Sequence, residues 1–361
     1  MAGECPNLSN LTIESASGNY DIAFEKFSIR KEMKSYFIID SYFKGVFEIP
    51  DNRVIYVEAK EESKNLAQVE KILISLSNIG MTKKDELVVI GGGFVQDIGT
   101  LVSSLYMRGV EWIFVPTTLA AMGDSCIGGK SSINAGSVKN LVGNFNPPRS
   151  VLIDTGFCHT LPILEIIAGI AEIIKICFAH SIQNFIEAAR IASIQNVQHA
   201  PLELDKLVLL SLESKKYFVE EDEFDTGIRK KLNFGHSFGH ALEAASAFQI
   251  PHGVAVMLGM IAATDHPAAS LSPASKQLRD ICFDFLGKVT YEISDLLGQY
   301  DAETFKVALK KDKKNTPENL ILILPGRSDL TLHASAFTSG AIEIAQSAME
   351  KTIMEVLNEI R

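Results

Sequence analysis

The segment ELVVIGGG (86–93) constrains the fold of this chain more than any other feature. An unbroken apolar run is typical of a strand buried on both faces, and the three glycines after it predict a tight turn into a helix. Comparable, mostly apolar runs are SYFIID (35–40), RVIYVE (53–58), EWIFVPTT (111–118) and VLIDTG (151–156). Helical spacing from Asn65 to Leu76 adds an intervening helix, so the pattern predicts a mainly parallel sheet covered on both faces.

After Pro162 the pattern changes to helical periodicity. Segments with apolar residues at helical spacing, separated by glycine or proline, cover 162–180, 182–196, 202–218, 235–248, 252–264, 274–297 and 302–312. One strand is predicted at 318–326, and 339–361 is predicted to be a closing amphipathic helix. The sequence therefore predicts an α/β plus all-α protein, with a nucleotide-binding parallel-sheet domain over 1–157 and a helical metal-binding domain over 158–361.

Composition narrows the classes of function. A chain of 361 residues is too long for one ordinary core, and its net charge of −10 argues against a nucleic acid or a membrane surface as partner. The five cysteines form no C-x-x-C pair, and the first ten residues lack the apolar run of a signal peptide, which together predict a cytoplasmic protein. The most apolar stretch, 163–179, contains Glu165, Glu172 and Lys175, and so predicts a buried helix rather than a membrane span.

A nucleotide site is predicted at the glycine turn. Gly91, Gly92 and Gly93 would let the backbone approach a pyrophosphate, and a helix expected to begin near Asp97 would direct its N–H groups at the charge. Asp40, at the end of an earlier strand, could hydrogen-bond a ribose hydroxyl. Each feature has a structural alternative: an ordinary strand-to-helix turn for the glycines, and a turn cap for the aspartate.

Three histidines and one carboxylate predict a metal site. KKLNFGHSFGHALEAAS places His236 and His240 on one face of a helix, and His252 follows in IPHGVAVMLGM. Glu172 lies in the apolar helix AGIAEIIKICFA, with Lys175 one turn later, and a carboxylate is expensive to bury there unless it is paired or binds a metal. The alternative is a helical ion pair beside core histidines. Three protein ligands would leave an open coordination position, as a catalytic metal requires.

An anion pocket is predicted in the glycine-rich segment GDSCIGGKSSINAGSVKNLVGNFNPP (123–148). Several donors must surround a phosphate or carboxylate, and glycine-rich turns let backbone and side chains do so. The candidate donors within the segment and elsewhere are Lys130, Lys139, Asn140, Arg108 and Arg229. A surface loop with ordinary lysines is the alternative interpretation.

Taken together, these motifs resemble the dehydroquinate synthase family of sugar-phosphate cyclases. The resemblance spans roughly residues 36 to 325, with several motifs in the family's order. GGGFVQD looks like the cofactor turn, and RGVEWIFVPTTLAAMGDSCIGGKSSIN followed by KNLVGNF looks like the central signature. AEIIK, LNFGHSFGH, PHG and DKKN complete the pattern.

The resemblance implies a role for each matching residue. The implied metal ligands are Glu172, His236 and His252. The implied NAD contacts are Asp40, Glu61, Lys64, Gly92, Gly93, Asp97, Thr117, Thr118, Asp124, Lys139 and Thr160. The implied substrate and catalytic groups are Lys130, Asn140, Lys175, Lys215, Arg229, Asn233, His240 and Lys313, with Lys314 as the alternative to Lys313. Arg108 resembles an arginine that reaches the phosphate bound to a neighbouring subunit, which implies a homodimer.

The reaction implied by the resemblance converts 3-deoxy-arabino-heptulosonate 7-phosphate into 3-dehydroquinate and phosphate. It uses catalytic NAD and a divalent metal, zinc or cobalt. Oxidation of a ring hydroxyl acidifies the adjacent C–H, phosphate leaves, the ketone is reduced again, and ring opening with an aldol step closes a carbocycle. The implied partner is therefore an anionic phosphorylated sugar acid.

Departures from the family pattern leave other substrates open. Val254 follows His252-Gly253 where glutamate is usual, and Asp225 and Lys60 replace a glutamate and a glycine. Related cyclases act on sedoheptulose 7-phosphate, glucose 6-phosphate or an amino analogue of the heptulosonate. Lys215 and Arg229 favour a substrate with a carboxylate. A metal-dependent polyol or glycerol-phosphate dehydrogenase and a non-catalytic binding scaffold are the remaining alternatives.

Overall fold

The computed structural model describes residues 10–29, 34–136, 138–327 and 329–358. Contacts between Cα atoms divide the chain into two compact units. The first comprises Met1–Leu161 and Gln195–Phe224, and the second comprises Pro162–Ile194 and Asp225–Arg361.

The secondary structure alternates in the first part of the chain and is mostly helical afterwards. The strands are β1 (Leu11–Ile13), β2 (Tyr20–Phe24), β3 (Tyr36–Asp40), β4 (Val54–Val57), β5 (Leu87–Gly91), β6 (Trp112–Pro116), β7 (Ile133–Ala135), β8 (Val138–Val142), β9 (Ser150–Ile153), β10 (Asn319–Pro325) and β11 (Leu330–Ala336). The helices are α1 (Leu66–Asn78), α2 (Gly93–Leu105), α3 (Ile163–His180), α4 (Ile182–Ile191), α5 (Ile194–His199), α6 (Pro201–Glu221), α7 (His236–Ala245), α8 (His252–Asp265), α9 (Pro273–Gly287), α10 (Thr290–Leu297), α11 (Ala302–Lys310) and α12 (Ser339–Asn358).

The first unit is built on a sheet with the strand order β1-β2-β9-β6-β5-β3-β4. All pairings in it are parallel except β1 with β2. β5 and β6 are buried along their whole length, as expected for strands covered on both faces. The five strands that the sequence predicts here are confirmed, and so is the parallel α/β fold of this part.

Several elements of this unit differ from the prediction. The helix after the glycine turn begins at Gly93 rather than near Asp97, because Gly92 already adopts the extended N-cap conformation. β1 and β2 form an unpredicted antiparallel edge. The glycine-rich segment, expected to be a loop, contains an antiparallel hairpin of β7 and β8, joined by Gly136 with a φ of +58°.

The predicted boundary at 157/158 differs from the observed division, because α6 belongs to the first unit. Lys215 of α6 forms an ion pair with Asp124, with 2.6 Å between Nζ and Oδ1. Ser211 Oγ donates to Gly123 O at 2.7 Å, and Thr155 Oγ1 donates to Asp205 at 2.6 Å. These contacts join α6 to the segments after β6 and β9, which the helical periodicity of α6 alone does not reveal.

The second unit is helical apart from the antiparallel pair β10–β11. β10 confirms the predicted strand, whereas β11 is an additional one. Two predicted helices are each divided: 182–196 into α4 and α5, and 274–297 into α9 and α10. The predicted last helix is α12 as far as Asn358; residues 359–361, like 1–9, lie outside the described residues. In the described part of the chain, no helix is long and apolar enough to span a membrane.

Candidate active site

The predicted nucleotide-binding residues of the first unit follow the carboxyl ends of parallel strands. Asp40 ends β3, Gly92 follows β5, and Thr117 follows β6. Because neighbouring parallel strands end at the same edge of a sheet, these residues share one edge, which is where open α/β sheets bind ligands. Thr118 also follows β6, whereas Thr160 is an exposed residue that ends a 3₁₀ turn after β9.

The turn between β5 and α2 leaves helix N–H groups without a side-chain cap. Gly92 is the N-cap of α2 and offers no side chain to the first turn. A Cβ atom at Gly92 would stand 2.9 Å from Thr118 Cγ2, in the segment after β6, so a larger residue here would require that threonine to shift. At Gly93 a Cβ atom would come no closer than 3.6 Å to Ser125 Oγ. The turn therefore presents bare backbone of the kind that accommodates an anion.

Asp40 caps a turn, which is the structural alternative that the sequence allowed for this residue. Its Oδ1 accepts a hydrogen bond from Tyr42 N at 3.0 Å and caps the short 3₁₀ turn that follows β3. A contact with a ribose stays a prediction for this residue.

Lys64 and Asp97 form a largely buried ion pair beside the β7–β8 hairpin. Lys64 Nζ is 2.6 Å from Asp97 Oδ2 and donates to Asn140 Oδ1 at 3.0 Å. Asp97 Oδ1 accepts from Ser132 N at 2.9 Å. Burial raises the pKa of Asp97, and Lys64 lowers it by less than burial raises it. Lys139 Nζ lies 3.5 Å from Glu61 Oε1. The structure thus brings together five of the predicted cofactor and substrate residues.

The other predicted cations of this unit lie in different environments. Lys215 is 6% exposed and donates to the backbone carbonyls of Asp124 and Ile127, so it stabilises the π-helical turn Ala121–Ser125. Lys130 is exposed and pairs through its backbone with Phe145. Arg108 is exposed, with a left-handed φ of +64°.

In the second unit, glycines bring three helices into close contact. A Cβ atom at Gly253 of α8 would stand 2.2 Å from Ala168 O of α3. A Cβ atom at Gly259 of α8 would stand 2.1 Å from Gly235 O, just before α7. Because no side chain separates these backbones, α8 packs directly on α3 and α7, the helices that carry Glu172, His236 and His240.

The three predicted histidines form one cluster. Ring centroids are 5.2 Å apart for His236 and His240, 5.3 Å for His236 and His252, and 5.4 Å for His240 and His252. One ring nitrogen from each lies within 4.8 Å of the others, a spacing that a single metal ion can bridge. His236 Nδ1 is 3.3 Å from Phe234 O, so a proton on Nδ1 leaves Nε2 as the ligand atom.

Glu172 faces this cluster from α3. Its Oε2 accepts a hydrogen bond from Lys175, and both side chains are nearly inaccessible, at 4% and 2% exposure. Its Oε1 is 3.4 Å from His252 Nε2 and is buried without a hydrogen-bond partner among the described residues. A buried carboxylate oxygen left in this state is costly unless a cation completes its environment. The structure therefore shows the ion pair and also places the carboxylate beside the histidines, and metal binding there stays a prediction.

The surroundings keep two of the three imidazoles neutral. Burial, followed by the charge of Lys175, lowers the pKa of His236 well below its ordinary value. Burial and His252 lower the pKa of His240 to about 4. Burial also acts to lower the pKa of His252, but the carboxylates of Glu243 and Glu172 outweigh it and raise that pKa. Neutral imidazoles are the form that binds metals.

The remaining predicted residues of the second unit are Arg229 and Asn233, which precede α7, and Lys313 or Lys314, which follow α11. Arg229 is 3% exposed and lies in the 3₁₀ segment Ile228–Asn233, where Asn233 Nδ2 donates to Lys230 O at 3.2 Å. Besides burial, the charge of Lys314 lowers the pKa of both His236 and His240. Lys314 is held by Asp312 at 2.9 Å, whereas Lys313 is exposed, so the structure favours Lys314 as the cation beside the histidines.

Three residues that contact the predicted site residues were not identified from the sequence. Glu243 Oε2 lies 3.2 Å from His252 Nδ1, and its position one turn after His240 was the available signal. Asp312 holds Lys314, and Asn134 holds the hairpin of the first unit. Of the departures from the family pattern, Val254 is fully buried within α8 and Asp225 has a φ of +58°.

Comparison with known proteins covers both units. Residues 54–168 match the family described as 3-dehydroquinate synthase N-terminal, and residues 169–315 match 3-dehydroquinate synthase C-terminal. A 3-dehydroquinate synthase of Dictyoglomus thermophilum is 34% identical, over 97% of this chain and 98% of the relative. One of Streptococcus pyogenes serotype M18 is 33% identical, over 89% and 94%.

Solved structures show the same fold at lower identity. A 2-deoxy-scyllo-inosose synthase, complexed with carbaglucose-6-phosphate, NAD⁺ and Co²⁺, has a TM-score of 0.79 at 23% identity, over 95% of this chain and 100% of its own. The 2-epi-5-epi-valiolone synthase of Streptomyces hygroscopicus, with NAD⁺ and Zn²⁺, has a TM-score of 0.75 at 20% identity, over 97% and 99%. A probable glycerol dehydrogenase of Sinorhizobium meliloti has 0.56 at 12%, over 89% and 90%. The matches to both domain families and to relatives along nearly the whole length show that this chain belongs to the 3-dehydroquinate synthase family.

Proposed function

We propose that this chain converts 3-deoxy-arabino-heptulosonate 7-phosphate into 3-dehydroquinate and phosphate, with catalytic NAD and a divalent metal, zinc or cobalt. Membership of the family makes the chain an enzyme of the cyclase type, and the proposal concerns its substrate and cofactors. The observation that carries it is the buried Glu172 Oε1, which lacks a hydrogen-bond partner in the described part of the chain and lies beside the three clustered histidines.

The residues present fit a divalent metal. Glu172, His236 and His252 would supply one carboxylate and two imidazoles, which is a donor set that suits zinc or cobalt and leaves a position open for substrate. A cation there would complete the environment of Glu172 Oε1. His240 belongs to the same cluster, and we assign it to the substrate side, as the family resemblance implies.

The first unit fits a dinucleotide. The uncapped N-terminus of α2 and the bare backbone of Gly92 suit a pyrophosphate, and the carboxyl edge of the sheet carries Asp40 and Thr117 for the rest of the cofactor. Lys139, in strand β8 of the hairpin, adds a positive charge, and its Nζ is 3.5 Å from Glu61 Oε1. The 2-deoxy-scyllo-inosose synthase and 2-epi-5-epi-valiolone synthase structures named above contain NAD⁺, which supports this assignment.

The side chains in the second unit account for the proton and charge chemistry. When bound, the metal would act as a Lewis acid on a substrate hydroxyl, and NAD would accept and return a hydride. Lys175 orients Glu172 through a hydrogen bond to Oε2, and its buried ammonium can stabilise negative charge on a substrate oxygen. His240, neutral near pH 7 because its pKa is about 4, can accept a proton through a ring nitrogen.

Cations of the helical unit suit an anionic substrate in an otherwise acidic protein. We assign Arg229 and Lys314 to its phosphate and carboxylate groups, because charge-assisted hydrogen bonds recognise such groups best. A substrate contact of Lys130, which the family resemblance implies, stays a prediction. A homodimer, in which Arg108 would serve the neighbouring subunit, and a cytoplasmic location stay predictions.

The deciding experiment measures phosphate release from 3-deoxy-arabino-heptulosonate 7-phosphate with NAD and Zn²⁺ or Co²⁺. We expect release without net accumulation of NADH, since the hydride is returned. Turnover of sedoheptulose 7-phosphate alone would replace this proposal with a related cyclase. NADH production without phosphate release would indicate a dehydrogenase.

A matched pair of variants tests the metal assignment. Glu172→Gln should lose both activity and tight metal binding, because it removes the charge that faces the histidines. Glu165→Gln makes the same change in the first turn of the same helix and should retain both. Equal metal affinity in the two variants would contradict the assignment.

A further inference from the structure

Asn134, in β7, uses its backbone N–H and both ends of its side-chain amide to join three segments of the first unit. Its backbone N–H donates to Lys64 O at 2.7 Å. Its Nδ2 donates to both Glu61 O and Glu61 Oε1, at 3.3 and 2.8 Å. Its Oδ1 accepts from Asn140 N, in β8, at 2.9 Å. One residue therefore connects the Glu61–Lys64 turn after β4 with both strands of the hairpin.

The chemistry of the partners dictates the orientation of the Asn134 amide. The N–H of Asn140 can only donate, so the atom that faces it must be the amide oxygen. The carbonyl and the carboxylate of Glu61 can only accept, so the amide nitrogen must face them. An aspartate of the same shape would keep the first interaction and place a second carboxylate against Glu61.

The hydrogen bond from Asn140 also supports an uncommon backbone conformation. Asn140 has a φ of +52°, in the left-handed region, which few residues with a Cβ atom adopt and which asparagine tolerates better than most. In this conformation its Oδ1 accepts from Lys64 Nζ and from Ser132 Oγ, both at 3.0 Å. Lys64 in turn pairs with Asp97. A displacement of Asn134 would thus reach four residues to which the family resemblance gives a cofactor or substrate role: Glu61, Lys64, Asp97 and Asn140.

We propose that Asn134 is a positioning residue for the NAD site: it fixes the Glu61 carboxylate and the β7–β8 hairpin relative to each other, so that Glu61, Lys64 and Lys139 meet the cofactor in one geometry. The inference rests on the proposed function, because NAD is the ligand concerned. Asn134 itself need not touch the cofactor, and its effect is exerted through the residues to which it is hydrogen-bonded.

The test compares Asn134→Asp with Asn146→Asp. Asn146 is a matched control in the same unit: it is half-buried and its Nδ2 likewise donates to two acceptors, Thr100 O at 3.2 Å and Ser103 Oγ at 3.0 Å. We expect Asn134→Asp to weaken NAD binding, measured by calorimetry on the metal-loaded protein, by about 10-fold or more, since a repelled Glu61 costs one charge-assisted contact. Asn146→Asp should leave the NAD dissociation constant within about 2-fold of the wild-type value, because a mispaired side chain there touches none of the residues assigned to the cofactor.

Two further readouts separate positioning from general destabilisation. Asn134→Asp should cost much less NAD affinity in a Glu61→Gln background, because the side-chain amide introduced by the second substitution can donate to the new carboxylate. In protein without NAD, amide hydrogen exchange should accelerate in β7 and β8 for Asn134→Ala, while Zn²⁺ affinity stays at the wild-type value.

The outcomes distinguish the two proposals. NAD binding by Asn134→Asp equal to that of wild type, or equally weakened binding in both aspartate variants, would overturn the positioning role and leave the proposed function intact. A wild-type protein that binds metal but not NAD would overturn the proposed cofactor, and the inference with it.

Discussion

His252 stands between two carboxylates, and each one meets a different ring nitrogen. Nδ1 is 3.2 Å from Glu243 Oε2, and Nε2 is 3.4 Å from Glu172 Oε1. A proton shared with Glu243 fixes the tautomer and directs the lone pair of Nε2 toward Glu172. Carboxylate support of this kind orients metal-binding histidines and raises their basicity. We therefore expect Glu243 to support the proposed metal site without being one of its ligands.

Removal of this support should weaken metal binding. We expect Glu243→Ala to lower the affinity for Zn²⁺ by about 10- to 100-fold, because the imidazole of His252 loses both its orientation and its partner charge. Glu243→Gln keeps a hydrogen-bond acceptor and should lose less. Competition with a chromogenic chelator measures both constants. Identical affinities for wild type and the alanine variant would show that His252 is held by other contacts.

Another histidine of the helical unit, outside the cluster of three, makes the stability of the protein depend on pH. Burial and the neighbouring His333 lower the pKa of His266 to about 4 from an ordinary value of 6.5. Below pH 6.5 the unfolded chain binds a proton at this position that the folded protein does not bind. The associated stability is therefore complete above about pH 6.5 and is lost as the pH falls toward 4, up to about 3 kcal/mol.

His266→Gln should remove this component of acid destabilisation. The free energy of unfolding in urea, measured from pH 7 to pH 4, should fall less steeply for the variant than for wild type. His159→Gln, at an exposed position of the first unit, serves as the control and should retain the wild-type slope. Parallel curves for wild type and His266→Gln would refute the assignment.

Among the helices and strands, those with an uninterrupted apolar pattern were predicted best from the sequence. The buried strands β3, β5 and β6 and the long helix α3 follow from apolar runs, because burial on both faces leaves a strong pattern. β1 has three residues, too few for any period to show.

The breaks within long helical patterns were less predictable for a related reason. The periodicity of 182–196 and of 274–297 continues across the ends of α4 and α9, so a change of direction there depends on tertiary packing. The β7–β8 hairpin depends on Asn134, Gly136 and the Glu61–Lys64 turn, and partners remote in sequence do not produce a local signal. The proposed metal ligands follow from residue type and resemblance. Glu243 had only its helical spacing from His240 as a signal, and Asn134 is identified by its hydrogen-bond distances.

The packing of α8 on α3 gives a prediction at this scale. Gly253→Ala would place a methyl group 2.2 Å from Ala168 O, and we expect the two helices to separate. Overpacking of this kind costs about 1–3 kcal/mol, and the displaced His252 should also bind Zn²⁺ more weakly.

Gly340→Ala is the matched control for this variant. It lies in the first turn of α12, where a methyl group comes no closer than 3.9 Å to Thr338 Oγ1. This change should stabilise the protein by about 0.5–1 kcal/mol, because alanine loses less backbone entropy than glycine in a helix. Urea unfolding and the chelator assay measure both effects. A Gly253→Ala variant as stable as wild type would show that α3 and α8 can move apart freely.

For the whole molecule, the two compact units divide the proposed ligands between them. The residues assigned to NAD lie in the unit that contains the parallel sheet, and those assigned to the metal lie in the helical unit. A ligand that binds only folded protein stabilises what it binds, by about 2.7 kcal/mol at a concentration 100 times its dissociation constant. Each ligand should therefore slow amide hydrogen exchange in its own set of segments.

Amide hydrogen exchange can resolve these patterns. Zn²⁺ at 100 times its dissociation constant should slow exchange about 100-fold in α3, α7 and α8, wherever exchange requires the site to open. NAD should slow it first in the Glu61–Lys64 turn, in the β7–β8 hairpin and at the start of α2. Glu172→Gln should lose the Zn²⁺ effect and keep the NAD effect. Zn²⁺ protection confined to the sheet unit would contradict the assignment of the metal to the histidine cluster, because the ligands would then have to be sought among the residues of the first unit.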